Sequence, residues 1–162
     1  MCRAGTLTLL GGRAQDPPVH MGAPFYLVIT GPLLEHALFR WEGGYLSWFL
    51  GAACFAAATF FRTKGHLDLR KGFSTAIEVV QEAQLVQRGR YRRIRHPLYM
   101  GNLCLFVACP LFLAARISWA FTLLGFIGVL ARIRIEERFL REHLEGYAAY
   151  MEKTWALLPG VY

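Results

Sequence analysis

Charge is scarce in this sequence. Only 18% of its 162 residues are Asp, Glu, Lys or Arg, where soluble domains carry about 25%. Acidic side chains are the scarcer sign, 11 against 18 Lys and Arg. So little charge excludes a disordered basic tail and argues against a soluble nucleic-acid binder, and no nucleic-acid partner is expected. Cysteine is also sparse, and none of the four falls in a C-x-x-C or in a Cys/His cluster of zinc spacing. Neither a disulfide framework nor a metal site is expected. Cys54, Cys104 and Cys109 lie inside apolar runs, where a cysteine acts as a small hydrophobe. No glycine-rich loop follows a strand-like segment, which excludes the soluble dinucleotide and P-loop folds. Residues 1–20 lack a continuous apolar core, so no signal peptide is apparent. Asp16-Pro17-Pro18 reads as part of a flexible lead-in.

What is present is apolar. Hydrophobic residues make up 55% of the chain, yet its formal net charge is +7. Residues 43–61 and 97–115 hold no formal charge over 19 residues each, 117–131 form a third such run, and 21–34 a shorter fourth. A bilayer core of about 30 Å takes roughly 20 apolar residues per helix, so the two longest runs qualify outright. Ile133 and Ile135 extend the pattern of the third. The first is the weakest, interrupted by Pro24, Gly31 and Pro32 and closed by Glu35 and His36. Four such runs in one small domain leave too little polar surface for a soluble protein. The fold expected is all-α: a membrane bundle of about four transmembrane helices forming one domain over residues 21–162, behind a flexible segment 1–20.

The cations are segregated. Residues 62–95 hold nine of the 18 Lys and Arg, and the tail from 132 onward holds five more. The opposite connections carry only Arg40 and Arg116. The positive-inside tendency then places both termini and the 62–95 segment in the cytoplasm. Arg116 to Ser118 is a very short connection, so the last two apolar helices form an antiparallel hairpin, about 97–134, followed by a cytoplasmic helix. Ala53 and Ala57 make a small-x-x-x-small face, a feature that more often serves packing within one chain; it leaves the oligomeric state open.

Chemistry concentrates where the basic loop enters the third helix, AQLVQRGRYRRIRHPLYMG over residues 83–101. Pro97 opens a helix at its first position, which places Arg95 and His96 at a helix N-terminus and Tyr99 one turn inside. An interfacial belt of Arg and Tyr is the plain alternative for such residues. In the tail, Arg132 and Glu136 stand four apart and share one helix face where the fourth helix leaves the bilayer. Ionisable side chains at that depth are functional candidates by default. The neighbouring pairs Glu137–Arg141 and Arg138–Glu142 read as a solvated, salt-bridged surface worth about 0.3–0.5 kcal/mol each.

The motif GRYRRIRHPLYMG, a hairpin of the right size, RIRIEERFL, and then GYAAY and LLP together resemble the isoprenylcysteine carboxyl methyltransferase family of integral-membrane enzymes. The resemblance covers roughly residues 83–159. It implies S-adenosylmethionine as cofactor, bound in a pocket open to the cytoplasm by Gln84, Leu85, Val86, Tyr91, His96, Pro97, Leu98, Tyr99 and Glu136. It implies Arg132 and Glu136 as the catalytic pair, with Arg132 facing a lipophilic or lipidated acceptor within the bilayer. These residue types suit that chemistry. A carboxylate such as Glu136 answers a sulfonium and an α-amino group, while donors at a helix start answer the cofactor's own carboxylate. If the acceptor is a carboxylate, it is already ionised at neutral pH and needs no general base. Arg132 would then hold and orient it. An amine or phenol acceptor must lose a proton, which Glu136 or a nearby group would take. His96 ranks as a pocket residue ahead of a base.

The chain departs from the family's Gly-Pro-Tyr at Gly89-Arg90-Tyr91, and from its Phe-Gly-x-x-Tyr spacing at Leu144-Glu145-Gly146-Tyr147. Two other classes compete. Membrane sterol reductases share a related R-H-P-x-Y region and bind NADPH, for whose extra phosphate the 88–95 arginines could serve. A non-enzymatic membrane protein would use the basic loop on anionic lipid, at about 1 kcal/mol per basic side chain.

Overall fold

The structure, a computed structural model, describes residues 19–69 and 85–160. Most of the expected flexible segment 1–20, and Gln84, lie outside the described residues. Among the described residues five α-helices follow in order: α1 Val19–Phe39, α2 Tyr45–Leu69, α3 Pro97–Phe112, α4 Trp119–His143 and α5 Tyr147–Glu152. A 3-10 turn, Gly89–Arg92, precedes α3. Among the described residues there is no strand, only an isolated bridge between Ile94 and Trp155. The all-α expectation holds.

Small residues set how closely the helices approach. Gly51, Ala58 and Gly65 are the buried positions of α2, spaced by seven, the repeat that keeps one seam against a neighbouring helix. That seam meets α3. A methyl on Gly65 would lie 2.7 Å from Leu98 Cδ2, and one on Gly101 would lie 3.1 Å from the Ala58 carbonyl. Ala53, half of the small-residue pair noted in the sequence, points outward instead. Helix α1 continues through Pro24 and Pro32. Its Gly31 admits the Phe121 ring of α4, and Val28 fills the space opposite Gly125. Phe106, Ile133 and Val28 are fully buried at the centre of the core.

One helix among the described residues, α2, is long and apolar enough to cross a membrane; Phe25–Phe39 and Pro97–Phe112 are shorter apolar helices. Outward faces are apolar as well, with Leu46, Phe49 and Phe55 exposed on α2 and Leu123, Leu124 and Ile127 on α4. An apolar surface this extensive is not how a monomeric soluble protein meets water.

At the loop end of the bundle, Glu35 of α1 is buried and caps α4 from outside it. Its Oε1 accepts the backbone N–H groups of Arg116 at 2.6 Å and Ile117 at 2.9 Å. Its Oε2 accepts the Ser118 N–H at 2.8 Å and the Ser118 hydroxyl at 2.7 Å. Helix starts leave such N–H groups without intrahelical partners, and an anion is favoured there. Ser47 Oγ donates to the Leu111 carbonyl at 2.6 Å, and the Arg116 guanidinium lies 4.4 Å over the Trp41 ring.

Candidate functional site

The hairpin of α3 and α4 brings two clusters together at the end away from Glu35. In the first, the Tyr99 hydroxyl donates to Glu136 Oε2 at 2.7 Å and accepts Arg132 Nε at 2.6 Å. A phenol has one proton and two lone pairs, so it bridges a carboxylate and a guanidinium without frustrating either. All three side chains are half-buried. Helix geometry explains the convergence. Arg132 and Glu136 are one turn apart on α4 and straddle Tyr99, one turn into the antiparallel α3. Among the described residues, Glu136 accepts this one hydrogen bond, which leaves most of its acceptor capacity open.

The second cluster centres on Glu137. Arg95 Nε donates to Glu137 Oε1 at 2.6 Å, and His96 Nε2 lies 3.1 Å from the same oxygen. A carboxylate oxygen only accepts here, so His96 carries a proton on Nε2. Arg95 also reaches the tail. Its Nη1 donates to the Met151 carbonyl at 3.1 Å and to the Thr154 carbonyl. Burial on its own would raise the Glu137 pKa, but hydrogen bonds and charge from His96 and Arg95 hold it below the usual carboxylate range. The sequence had suggested a solvated pair with Arg141. Instead Glu137 is buried, because it continues the inward stripe of Gly125, Val129 and Ile133 on α4.

The tail closes the arrangement. Trp155 N–H donates to the Arg93 carbonyl at 3.0 Å, Arg95 N–H to the Trp155 carbonyl at 2.8 Å, and His96 N–H to the Ala156 carbonyl at 3.0 Å. The Tyr150 hydroxyl donates to the Tyr91 carbonyl. Burial pushes that phenol up to about 12, against a smaller lowering by Arg95. The arginine-histidine-proline segment is therefore strapped on one side by the tail and pinned on the other by Glu137.

Of the residues singled out in the sequence, Tyr99, Arg132 and Glu136 come together directly. His96 joins them at one remove, its ring centroid 5.5 Å from that of Tyr99. Tyr91 is buried in the 3-10 turn, and Pro97 is fully buried at the start of α3. Leu98 packs on Gly65 of α2. Leu85 and Val86 are half-buried before the turn, and Leu85 Cδ2 lies 4.0 Å from where a Gly146 methyl would sit. Gln84 lies outside the described residues. Sequence reasoning missed Glu137 and Thr154. For Glu137 a signal was available, its four-residue spacing from Ile133; for Thr154 there was none.

The departure at Gly89-Arg90 has its own local logic. Gly89 has φ +59, and a methyl there would fall 2.3 Å from Asp68 Cγ, so only glycine fits. Asp68 Oδ2 accepts the Arg90 N–H at 3.0 Å and Arg90 Nη1 at 3.2 Å, and the Arg90 guanidinium lies 4.4 Å over Phe60.

Residues 49–142, more than half of the chain, match the sequence model of the isoprenylcysteine carboxyl methyltransferase (ICMT) family. The chain belongs to this family. The ICMT match takes in the 3-10 turn, the hairpin and Arg132, Glu136 and Glu137, and stops before the tail strap. Among solved structures, the eukaryotic intramembrane Ras methyltransferase ICMT superposes with a TM-score of 0.72 at 19% identity. The alignment covers 90% of this chain and 54% of that protein, so this chain spans about half the length of that ICMT. No curated protein matches the chain.

Proposed function

We propose that this ICMT-family chain is a membrane methyltransferase that uses S-adenosylmethionine to methylate a lipophilic, membrane-partitioned acceptor, an isoprenylcysteine-type carboxylate being the favoured case. The observation that carries the reading is the Arg132–Tyr99–Glu136 cluster, placed at one end of the hairpin inside the family match. The donor set fits the cofactor. A half-buried carboxylate with spare acceptor capacity suits a cationic sulfonium and an α-amino group. Leu85, Val86 and Tyr91 would supply apolar and aromatic surface for an adenine. Pro97 and Leu98, packed inward, would shape the wall, and Tyr99 and His96 would line it as polar side chains held in place by Glu136 and Glu137. S-adenosylmethionine supplies an activated methyl group.

The chain's own task is then to bind, orient and exclude water. Arg132 would hold the acceptor carboxylate by its guanidinium fork, and proximity would supply most of the acceleration. No residue need remove a proton from an acceptor that is already ionised. The Glu137 and tail contacts would fix His96 and Pro97, so that the turn keeps its shape when the pocket is empty.

In this reading α1, α2 and the hairpin over about 97–134 span the bilayer, and the site opens to the cytoplasm together with both termini and the basic 62–95 segment. The exposed apolar faces of α2 and α4 support it. Calorimetric titration of the purified protein with S-adenosylmethionine and with NADPH is the first test. Binding of NADPH alone would sink the proposal. Labelled methyl transfer onto prenylcysteine, fatty-acid and phospholipid acceptors then identifies the substrate. Arg132→Ala is expected to cut turnover while leaving cofactor affinity within about threefold; a defect confined to cofactor affinity would reassign Arg132.

A further inference from the structure

We propose that a groove at the carboxyl end of α2 binds the phosphate of an anionic membrane phospholipid. The groove has a volume of about 440 Å³ and is lined by Lys64, Leu67, Asp68, Arg88, Gly89 and Arg90. None of these residues belongs to the set assigned to methyl transfer, so the inference stands independently of that assignment. Three cations face one carboxylate, and the carboxylate is already engaged. Asp68 Oδ2 holds the backbone and guanidinium of Arg90. Arg88 donates its Nε to the Asp68 carbonyl at 3.2 Å, which covers a helix-end acceptor that would otherwise repel an anion. Among the described residues, Lys64 makes no hydrogen bond or ion pair. It stands one turn before Asp68 on the groove face.

Geometry favours a lipid over a free anion. The groove lies at the end of α2, the one helix among the described residues that is long and apolar enough to cross a membrane. Leu67 and Phe60 are 58% and 50% exposed there. A phosphate held by Lys64 and Arg88 therefore has apolar helix surface beside it for acyl chains to cover, which a soluble phosphate cannot use. One wall of the groove is fixed. Gly89 is fixed by its close approach to Asp68, and Arg90 is braced between Asp68 and the Phe60 ring. That wall then needs little further ordering when a ligand arrives.

Native mass spectrometry of the full chain in detergent, with phosphatidylglycerol and phosphatidylcholine as competing probes, tests the proposal. One phosphatidylglycerol is expected to be retained in preference to phosphatidylcholine. Lys64→Gln and Arg88→Gln should each weaken it by about fivefold, since a basic side chain at the surface contributes about 1 kcal/mol. Arg92→Gln and Arg93→Gln remove the same charge from exposed neighbours outside the groove and should leave retention within twofold. Equal losses from the two sets would overturn the proposal in favour of a diffuse basic belt. Displacement of the lipid by inorganic phosphate or glycerol phosphate at comparable concentration would overturn the lipid assignment in favour of a soluble anion. Lys64 is exposed, so its variant decides the question even if Arg88→Gln loses thermal stability.

Discussion

At the loop end of the bundle, Glu35 accepts three backbone N–H groups and a hydroxyl at the start of α4. At the other end of the same hairpin, Glu136 accepts one hydroxyl, that of Tyr99. A carboxylate offers about four acceptor positions. Glu35 has them filled by its own chain, so it has nothing to offer a ligand, and its work is to tie α1 to the α3–α4 turn. Glu136 keeps capacity in a half-buried position, beside an arginine and a phenol already arranged. Nearness to an apolar run therefore does not distinguish a structural carboxylate from a functional one. Under the proposed function, the number of donors supplied from within the chain does.

Glu137 sharpens the contrast, because it neighbours Glu136 and yet behaves like Glu35. Glu137→Ala leaves the Arg95 guanidinium, with its side chain 10% exposed, without a counter-charge, which costs about 3–5 kcal/mol. Thermal unfolding in detergent should show this as the largest loss of the series, with Glu137→Gln intermediate because it keeps an acceptor. The pH dependence has a definite sign. The folded-state pKa of Glu137 is depressed by His96 and Arg95, so its contribution is complete above the unfolded carboxylate range and fades as pH falls through the folded value. Glu137→Gln should flatten that part of the acid-unfolding profile.

Glu136→Gln should do the reverse. Stability is expected to change by less than about 0.5 kcal/mol, while methyl transfer and cofactor binding fall by about 100-fold, or about 2.7 kcal/mol. A large stability loss with intact binding would place Glu136 among the structural carboxylates and erase the distinction. Glu35→Ala tests the opposite end. Removing the cap strands three N–H groups and a buried hydroxyl, at about 2–3 kcal/mol. Turnover per folded molecule should be unchanged, since nothing at that end touches the Tyr99 cluster.

Periodicity explains which parts of this were legible in the sequence. Four-residue spacing put Arg132 and Glu136 on one face, and Pro97 fixed where α3 begins; that Tyr99 shares a pocket with Glu136 was implied by the family resemblance, not by spacing. The charge-free runs gave the helices. Pairings between distant segments carry no period. The strap of Thr154 to Ala156 along Arg93 to His96 uses backbone groups, which every residue has. Glu35 as a cap for α4 depends on tertiary approach across 83 positions of sequence. Arg90 read as a lost turn residue, but its partners Asp68 and Phe60 lie on another helix.

The smallest effect expected lies in the contact that accompanies the Glu35 cap. Arg116 is exposed, and its guanidinium stacks on Trp41 at 4.4 Å. Arg116→Ala keeps the backbone N–H that Glu35 accepts, so the cap survives and only the cation–π contact goes. An exposed contact of this kind contributes about 0.5–1 kcal/mol, a shift of about 1–4 °C in Tm for a chain of this size. The effect should add to that of Trp41→Leu by less than the sum of the two, since both remove the same contact. A loss as large as that from Glu35→Ala would show that the ring contact, not the saturated carboxylate, holds this end together. The contrast between a carboxylate filled by its own chain and one left open would then lose its structural half.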